Sequence, residues 1–210
     1  MPPQRKSPDA TRRSQPTRAA ILTAALELAG EVGYARLSIE GIAARAGAGK
    51  QTIYRWWPSK GAVLFDALLA LSDDGSADDA TADLPNTGDL AADLKMVLRA
   101  TVDELTDPRL SDPMRALTVE VLADPELAQT WRTRLDEPMR AMKIRRLRAA
   151  QEAGDLAPDV DLAVAADLVW GPLQNKWLFG PEPLTHAYAD AVVDTALAGL
   201  AQASRRRSDT

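Results

Sequence analysis

Apolar residues recur along this chain at helical spacing. Over residues 17–30, Ile21, Leu22, Ala25, Leu28 and Ala29 share one face of a 3.6-residue period. Ile39, Ile42 and Ala43 repeat that spacing over a shorter span, behind Ser38. A serine oxygen there accepts from the orphan amides of a helix start. Gly47 supplies the permissive backbone that a helix end needs. A second short helix is predicted from about Gly49 to Trp56, polar along Lys50, Gln51, Thr52 and Arg55 and apolar along Ile53, Trp56 and Trp57. Pro58 stops it, and Ser59 caps a further helix carrying Val63, Leu64, Ala67, Leu68 and Leu71.

The remainder continues in the same way. Residues 72–89 are rich in Asp, Gly and Ser and read as a loop. Leu90, Leu94, Val97, Leu98, Thr101, Val102 and Leu105 place a helix over 89–105, and another lies near 111–123. Asp124-Pro125-Glu126 is a cap, a proline and an acid in the order a helix start favours. That helix should reach Ala153, stop at Gly154, and be kinked or split by Pro138. Two more are expected over 161–179, with Pro172 as a kink, and 185–203. No strand pattern rivals these. The expected fold is all-α, with an N-terminal three-helix helix-turn-helix head and a larger helical body. The boundaries read as a disordered basic arm over 1–16, the head over 17–60, the body over 61–203 and a flexible tail over 204–210.

Composition narrows the chemistry. The chain has 210 residues and no cysteine, which removes disulfides, thiolate chemistry and cysteine-ligated zinc. No apolar run approaches membrane-spanning length, and the polar, basic N-terminus lacks the apolar core of a secretory signal, so a cytoplasmic protein is expected. The net charge of −5 opposes DNA binding, but its distribution does not. Residues 1–71 hold ten Lys/Arg against five Asp/Glu, and the rest holds fifteen against twenty-five. A cationic head on an acidic body is a directional electrostatic footprint.

A short helix with donors facing outward, braced by another helix, is what major-groove reading requires. Lys50, Gln51, Thr52 and Arg55 are the base-edge candidates: Lys and Arg suit guanine, Gln suits adenine, and the Thr methyl suits thymine. The segment resembles the DNA-binding motif of the TetR family of bacterial repressors. The likeness covers Arg18 to Val32, Gly33-Tyr34, Leu37-Ser38-Ile39, Ile42-Ala43, Ala46-Gly47, Thr52-Ile53-Tyr54, Pro58-Ser59-Lys60 and Leu64. Gly154-Asp155-Leu156, Trp170-Gly171-Pro172-Leu173 and Gly180-Pro181-Glu182-Pro183-Leu184 resemble the C-terminal part of one subgroup more weakly. The resemblance assigns Tyr54 and Lys60 to DNA phosphates. It adds Arg18 and Ser38 to the DNA-facing set. Two positions depart from the family: Gly49 stands where Ser or Thr often caps the recognition helix, and Gln51 where a small residue is common. Adjacent Trp56 and Trp57 point to different sides; Trp57 reads as core, and Trp56 as flanking the DNA backbone.

The resemblance also implies a dimer and a small-molecule pocket. Trp170, Gly171, Leu173, Leu178, Val192 and Leu197 are the dimer candidates. Phe65, Leu68, Leu117, Val121, Trp131, Leu135, Met139, Met142 and Trp177 are the apolar pocket candidates, with Gln174 and Asn175 as polar partners for a ligand. His186, the single histidine, reads as a surface residue, and no metal or cofactor is expected. The Arg145-Arg146-Arg148 run reads as a complement to a helix C-terminus. The expected function is a ligand-responsive repressor that binds an inverted-repeat operator as a homodimer. A helical enzyme finds no nucleophile–base set in its favour. An architectural DNA-binding protein without an effector is the alternative.

Overall fold

The computed structural model describes residues 10–75 and 83–208, all of whose regular elements are helical. In chain order they are α1 (Ala10–Val32), a 3-10 turn (Tyr34–Arg36), α2 (Ile39–Ala46), α3 (Lys50–Trp56), α4 (Lys60–Gly75), α5 (Leu90–Thr106), α6 (Ser111–Ala123), α7 (Pro125–Trp131), a π turn (Arg132–Asp136), α8 (Glu137–Ala153), α9 (Leu162–Phe179) and α10 (His186–Ser208). They divide into two compact units. One comprises residues up to Asp78 together with Asp112–Ala128, and the other Asp79–Ser111 together with Gln129 onward.

In the first unit α1 packs on α2 and α4, and α2 on α3. The shared core is Ile21, Leu22, Ala25 and Ala29 of α1, Ile39 and Ile42 of α2, Ile53 of α3, and Val63, Leu64 and Phe65 of α4. Helix α1 opens at Ala10, seven residues earlier than the arm reading placed it, and carries Pro16 inside. A proline removes one backbone bond without always ending a helix, so residues 10–16 of the expected arm are helical and 1–9 lie outside the described residues. The expected boundary at residue 60 also falls inside this unit, because α4 and α6 belong to it.

The second unit is held by α5, which packs on α10 and α9, and by α8 on α9. Leu90, Leu94, Leu98, Val102 and Leu105 form the buried face of α5. Ala189, Val193, Ala196 and Leu200 form that of α10. Three rungs fix the antiparallel register of this pair: Lys95 to Asp194 at 2.7 Å, Arg99 to Asp190 at 2.6 Å, and His186 to Asp103 at 2.7 Å. The partners step by four residues in opposite directions. Such exposed pairs add little stability, but a slipped register would lose all three at once.

The expected split near Pro138 occurs just upstream of it. A proline ring crowds the carbonyl four residues before it, and the widened π turn over Arg132–Asp136 contains that position. Pro138 itself lies in the first turn of α8, where its missing amide costs nothing. Gly154, at φ 86°, ends α8 in the left-handed region. The tail reading is also corrected: α10 continues to Ser208, past the expected end at 203.

Arg146 does not serve the end of α8. Its side chain is 3% exposed and donates to Asp93 of α5 at 2.7 Å and to the carbonyl of Pro85. Asp93 also accepts from the Thr87 amide at 2.9 Å and its hydroxyl at 2.7 Å, and Arg145 reaches Asp83. The loop before α5 is thus tied to α8 by charge. Burial pushes the Asp93 carboxyl up, but Arg146 and the two Thr87 donors outweigh it and hold the group below the usual carboxylate range. A depressed folded-state value means that this stabilisation is present at neutral pH and is lost as pH falls through that value. Asp93→Ala should therefore cost about 3–5 kcal/mol, because it strands a buried guanidinium. Urea unfolding measures this. The variant should also lose less stability than the wild type between neutral pH and the acid range.

Candidate nucleic-acid interface

The α2–α3 motif is short, so its caps decide whether it forms. Ser38 accepts from the Gly41 amide at 3.1 Å and starts α2. Gly47 ends it at φ 62°, its amide bonding the carbonyls of Ala43 and Ala44. The chain then re-enters a helix within three residues, as a tight turn between two helices demands. Gly49 caps α3 with no side-chain bond, as its lack of an oxygen requires.

An isolated helix of seven residues is not stable in water, so α3 is held by what it touches. Ile53 is fully buried beneath it. Trp57, at its C-cap, is 3% exposed and donates its indole N–H to Asp66 of α4 at 2.8 Å. Arg18 of α1 donates to the same Asp66 oxygen at 2.6 Å and lies over the Trp57 ring, 5.5 Å from its centre. One carboxylate therefore joins α1, α3 and α4. Trp57 is core, as expected. Arg18 takes part in this brace through one guanidinium nitrogen while its side chain stays 46% exposed, a contact that its place in the sequence did not signal.

The outward face of α3 holds the base-reading candidates. Gln51, Tyr54 and Arg55 are exposed and Thr52 is half-buried. Trp56 is half-buried, meets Trp57 edge-on at 5.5 Å and carries the Arg55 guanidinium over its ring at 5.2 Å. Arg55 is thereby presented outward on an aromatic platform. Lys50, first in α3, is paired with Glu40 of α2 at 2.8 Å. Ser38 is exposed, with its oxygen occupied by the cap.

Lys60, first in α4, is half-buried. Its ammonium donates to the carbonyls of Tyr34 at 2.9 Å and Leu37 at 3.1 Å, and lies 4.3 Å from the centre of the Tyr34 ring. An ammonium has three protons, so one remains for a phosphate. Tyr34 in turn is buried at its hydroxyl. Burial, with the carboxylates of Glu120 and Asp124, pushes its ionisation well above the ordinary range. Next to it, Gly61 is tightly packed: a Cβ there would lie 3.0 Å from Leu127 and 3.1 Å from the Tyr34 oxygen, so its neighbours would have to give by a few tenths of an ångström.

The apolar candidates of the body fall in different places. Phe65 and Leu117, each 1% exposed, are core of the first unit, where Leu68 and Val121 are half-buried. The other candidates belong to the second unit. Trp177 is buried and donates to Ser111 at 3.0 Å; Trp131, Leu135 and Met142 are half-buried; Met139, Gln174 and Asn175 are exposed. Phe65, Leu117 and Trp177 are thus closed to bulk solvent. Among the dimer candidates, Leu173 is 1% exposed and faces its own unit, so it presents nothing to a partner. Trp170, Leu178, Val192 and Leu197 are half-buried and Gly171 is exposed. Val164 and Leu168 of α9, at 52% and 46% exposure, were missed. Their signal was present: with Gly171 they fall at i, i+4 and i+7, on a helix buried along Ala165, Ala166, Val169, Leu173 and Trp177.

A family model described as bacterial regulatory proteins, tetR family, matches residues 21–67, and one described as tetracyclin repressor-like, C-terminal domain, matches 84–196. The helix-turn-helix-type transcriptional regulator YdeS of Bacillus subtilis is 30% identical over 93% of this chain and 96% of its own length. A DNA-binding transcriptional repressor TetR of Mycobacteroides abscessus is 31% identical over 92% of this chain and 98% of its own. The crystal structure of a TetR family transcription regulator, SCO0332, is similar at a TM-score of 0.69 and 36% identity, covering 87% of this chain and 97% of that one.

The brace under α3 generates a direct expectation. Asp66→Ala should cost about 1–3 kcal/mol, since it leaves the indole N–H and the guanidinium without their acceptor. Thermal unfolding followed by tryptophan fluorescence reads both the stability and the exposure of Trp57. A variant as stable as the wild type would remove the brace from the account.

Proposed function

The chain belongs to the TetR family of DNA-binding transcriptional regulators, and from that premise we propose that it is a cytoplasmic repressor that binds an inverted-repeat operator as a homodimer and is released by a small apolar or aromatic effector. The family consists of regulators rather than enzymes. The observation that carries the reading is the exposed face of α3. Gln51, Tyr54 and Arg55 stand outward from a helix whose other side is locked by Ile53, Trp57 and Asp66. Rigid support beneath adaptable donors is what base reading needs, because the contacts must be placed before the groove is entered.

In this reading Lys50, Gln51, Thr52 and Arg55 meet base edges, while Tyr54 and the third proton of Lys60 meet phosphates. Trp56 lies beside the backbone. Arg18 and Ser38 are exposed beside this face, each with one further task, Arg18 in the brace and Ser38 in the cap. The dimer is proposed through the outward stripe of α9, Val164, Leu168 and Gly171, with Trp170, Leu178, Val192 and Leu197 at its edge. Exposed apolar residues in register on one helix mark an interaction face, and a two-fold interface presents the same patch twice. An effector site is proposed from the half-buried Trp131, Leu135 and Met142 with Met139, broad and adaptable side chains. No helix among the described residues is long and apolar enough to cross a membrane.

Selection from a random duplex library should return an inverted repeat with half-site centres roughly 34–36 Å apart or a multiple of this. Lys60→Ala should weaken binding to all sequences about equally and reduce the salt slope by about 0.9 per head. Tyr54→Phe, which perturbs no packing, should weaken binding in the same uniform way. Unchanged affinity in both variants would remove the phosphate assignment. An effector is any compound whose addition lowers that affinity.

Sedimentation tests the dimer face. Leu168→Arg should shift the protein to monomer at micromolar concentration while leaving its helical content unchanged. A normal dimer would take the α9 stripe out of the interface.

A further inference from the structure

One carboxylate of the head stands beside a base-reading candidate. Glu40, the second residue of α2, accepts from Lys50 at 2.8 Å, and Lys50 opens α3. The two side chains are 61% and 55% exposed. An ion pair so placed contributes little to folding. It lies at the N-terminal end of the recognition helix, the end that meets base edges in helix-turn-helix proteins. A negative charge there works against every phosphate nearby. Three other carboxylates of the head are engaged elsewhere: Glu27 and Glu31 hold Arg45, at 3.2 and 2.7 Å, and Asp66 holds Arg18 and Trp57.

We propose that Glu40 sets DNA specificity by holding Lys50 until the base edge opposite it offers a better partner. Lys50 then acts as a reader of guanine, whose O6 and N7 present two acceptors to one ammonium. On such an edge Lys50 leaves Glu40 and the exchange is balanced. On other sequences Lys50 stays paired. It then adds no net charge toward the phosphates, whereas an unpaired Lys50 would be free to engage one. Glu40 therefore lowers the affinity for random DNA more than that for the operator, and widens the ratio between them. That ratio, rather than affinity alone, determines occupancy among many competing sites. The proposal rests on the reading of α3 as the DNA-reading helix.

The test compares Glu40→Gln with the wild type on a duplex of random sequence and on the sequence selected by the wild type. E40Q should bind the random duplex several-fold more tightly. Its log-affinity salt slope should steepen by about 0.9 per head, one more phosphate engaged. Binding to the selected sequence should change much less, and guanine should be less enriched at one position when E40Q makes its own selection. Adding Lys50→Ala to E40Q should abolish the gain. Glu31→Gln removes the same charge from the head but leaves Lys50 paired, and should not reproduce the effect. Equal random-duplex affinity and slope in E40Q and wild type overturns the proposal, as does an equal gain from Glu31→Gln or survival of the gain without Lys50. A wild type that binds no duplex at low salt would overturn the reading of α3 itself, an outcome distinct from all of these.

Discussion

The head is organised around the carboxylate of Asp66. A seven-residue helix has too few backbone bonds to hold itself, and its amphipathic face is narrow. What keeps α3 in place is a buried acceptor on α4 that takes one hydrogen from Trp57 at the end of α3 and another from Arg18 on α1. Asp66 is 8% exposed, so losing either donor would leave a poorly solvated charge. The arrangement is stable only with all three helices in position. The recognition helix is therefore as rigid as the packing of its neighbours, and its outward side chains can differ without disturbing it.

Much of this was legible in the sequence because it follows from local rules. Ser38, Gly47 and Gly154 are caps or stops whose chemistry is independent of what lies across the fold. The buried faces of α1 and α5 follow from spacing alone. What could not be read depends on partners distant in sequence. Arg146 looked like one cation in a run at a helix end, and only Asp93, Thr87 and Pro85 make it a buried clamp. Arg18 read as a DNA-facing cation, and its hydrogen bond to Asp66, 48 positions away, had no local signal. Leu173 and Leu168 are five residues apart on one helix, and apolarity alone does not say which faces inward. The early start of α1 was missed because prolines and cations suggest disorder more strongly than a single internal proline justifies.

A second constraint lies where α4 begins. Gly61 is bounded by Leu127 of α7, Glu120 of α6 and the Tyr34 hydroxyl, all 3.0–3.2 Å from where a Cβ would stand. Tyr34 carries the Lys60 ammonium 4.3 Å from its ring centre and feels the carboxylates of Glu120 and Asp124 at its hydroxyl. The same short stretch, Lys60-Gly61, thus holds the candidate phosphate donor and a tight contact of α6 and α7 with α4. Packing this tight does not deform smoothly. Small displacements there are either resisted or passed to Tyr34 and Lys60.

This bears on how a ligand could act at all. A ligand shifts an equilibrium only by its differential affinity for the two states, and a shift must reach the DNA contacts through groups that touch. In this unit α6 meets the start of α4 at Gly61, where Cγ of Glu120, the Tyr34 oxygen and a Leu127 methyl of α7 would lie 3.0–3.2 Å from a Cβ, and the Lys60 ammonium lies over the Tyr34 ring. In the proposed reading Lys60 is a phosphate donor, so a disturbance arriving along α6 would act first there. The exposed face of α3 is held to α1 and α4 by Ile53, Trp57 and the Asp66 brace. Because α4 carries both Lys60 and Asp66, a displacement large enough to move that helix as a whole would also reach the side chains proposed to read bases.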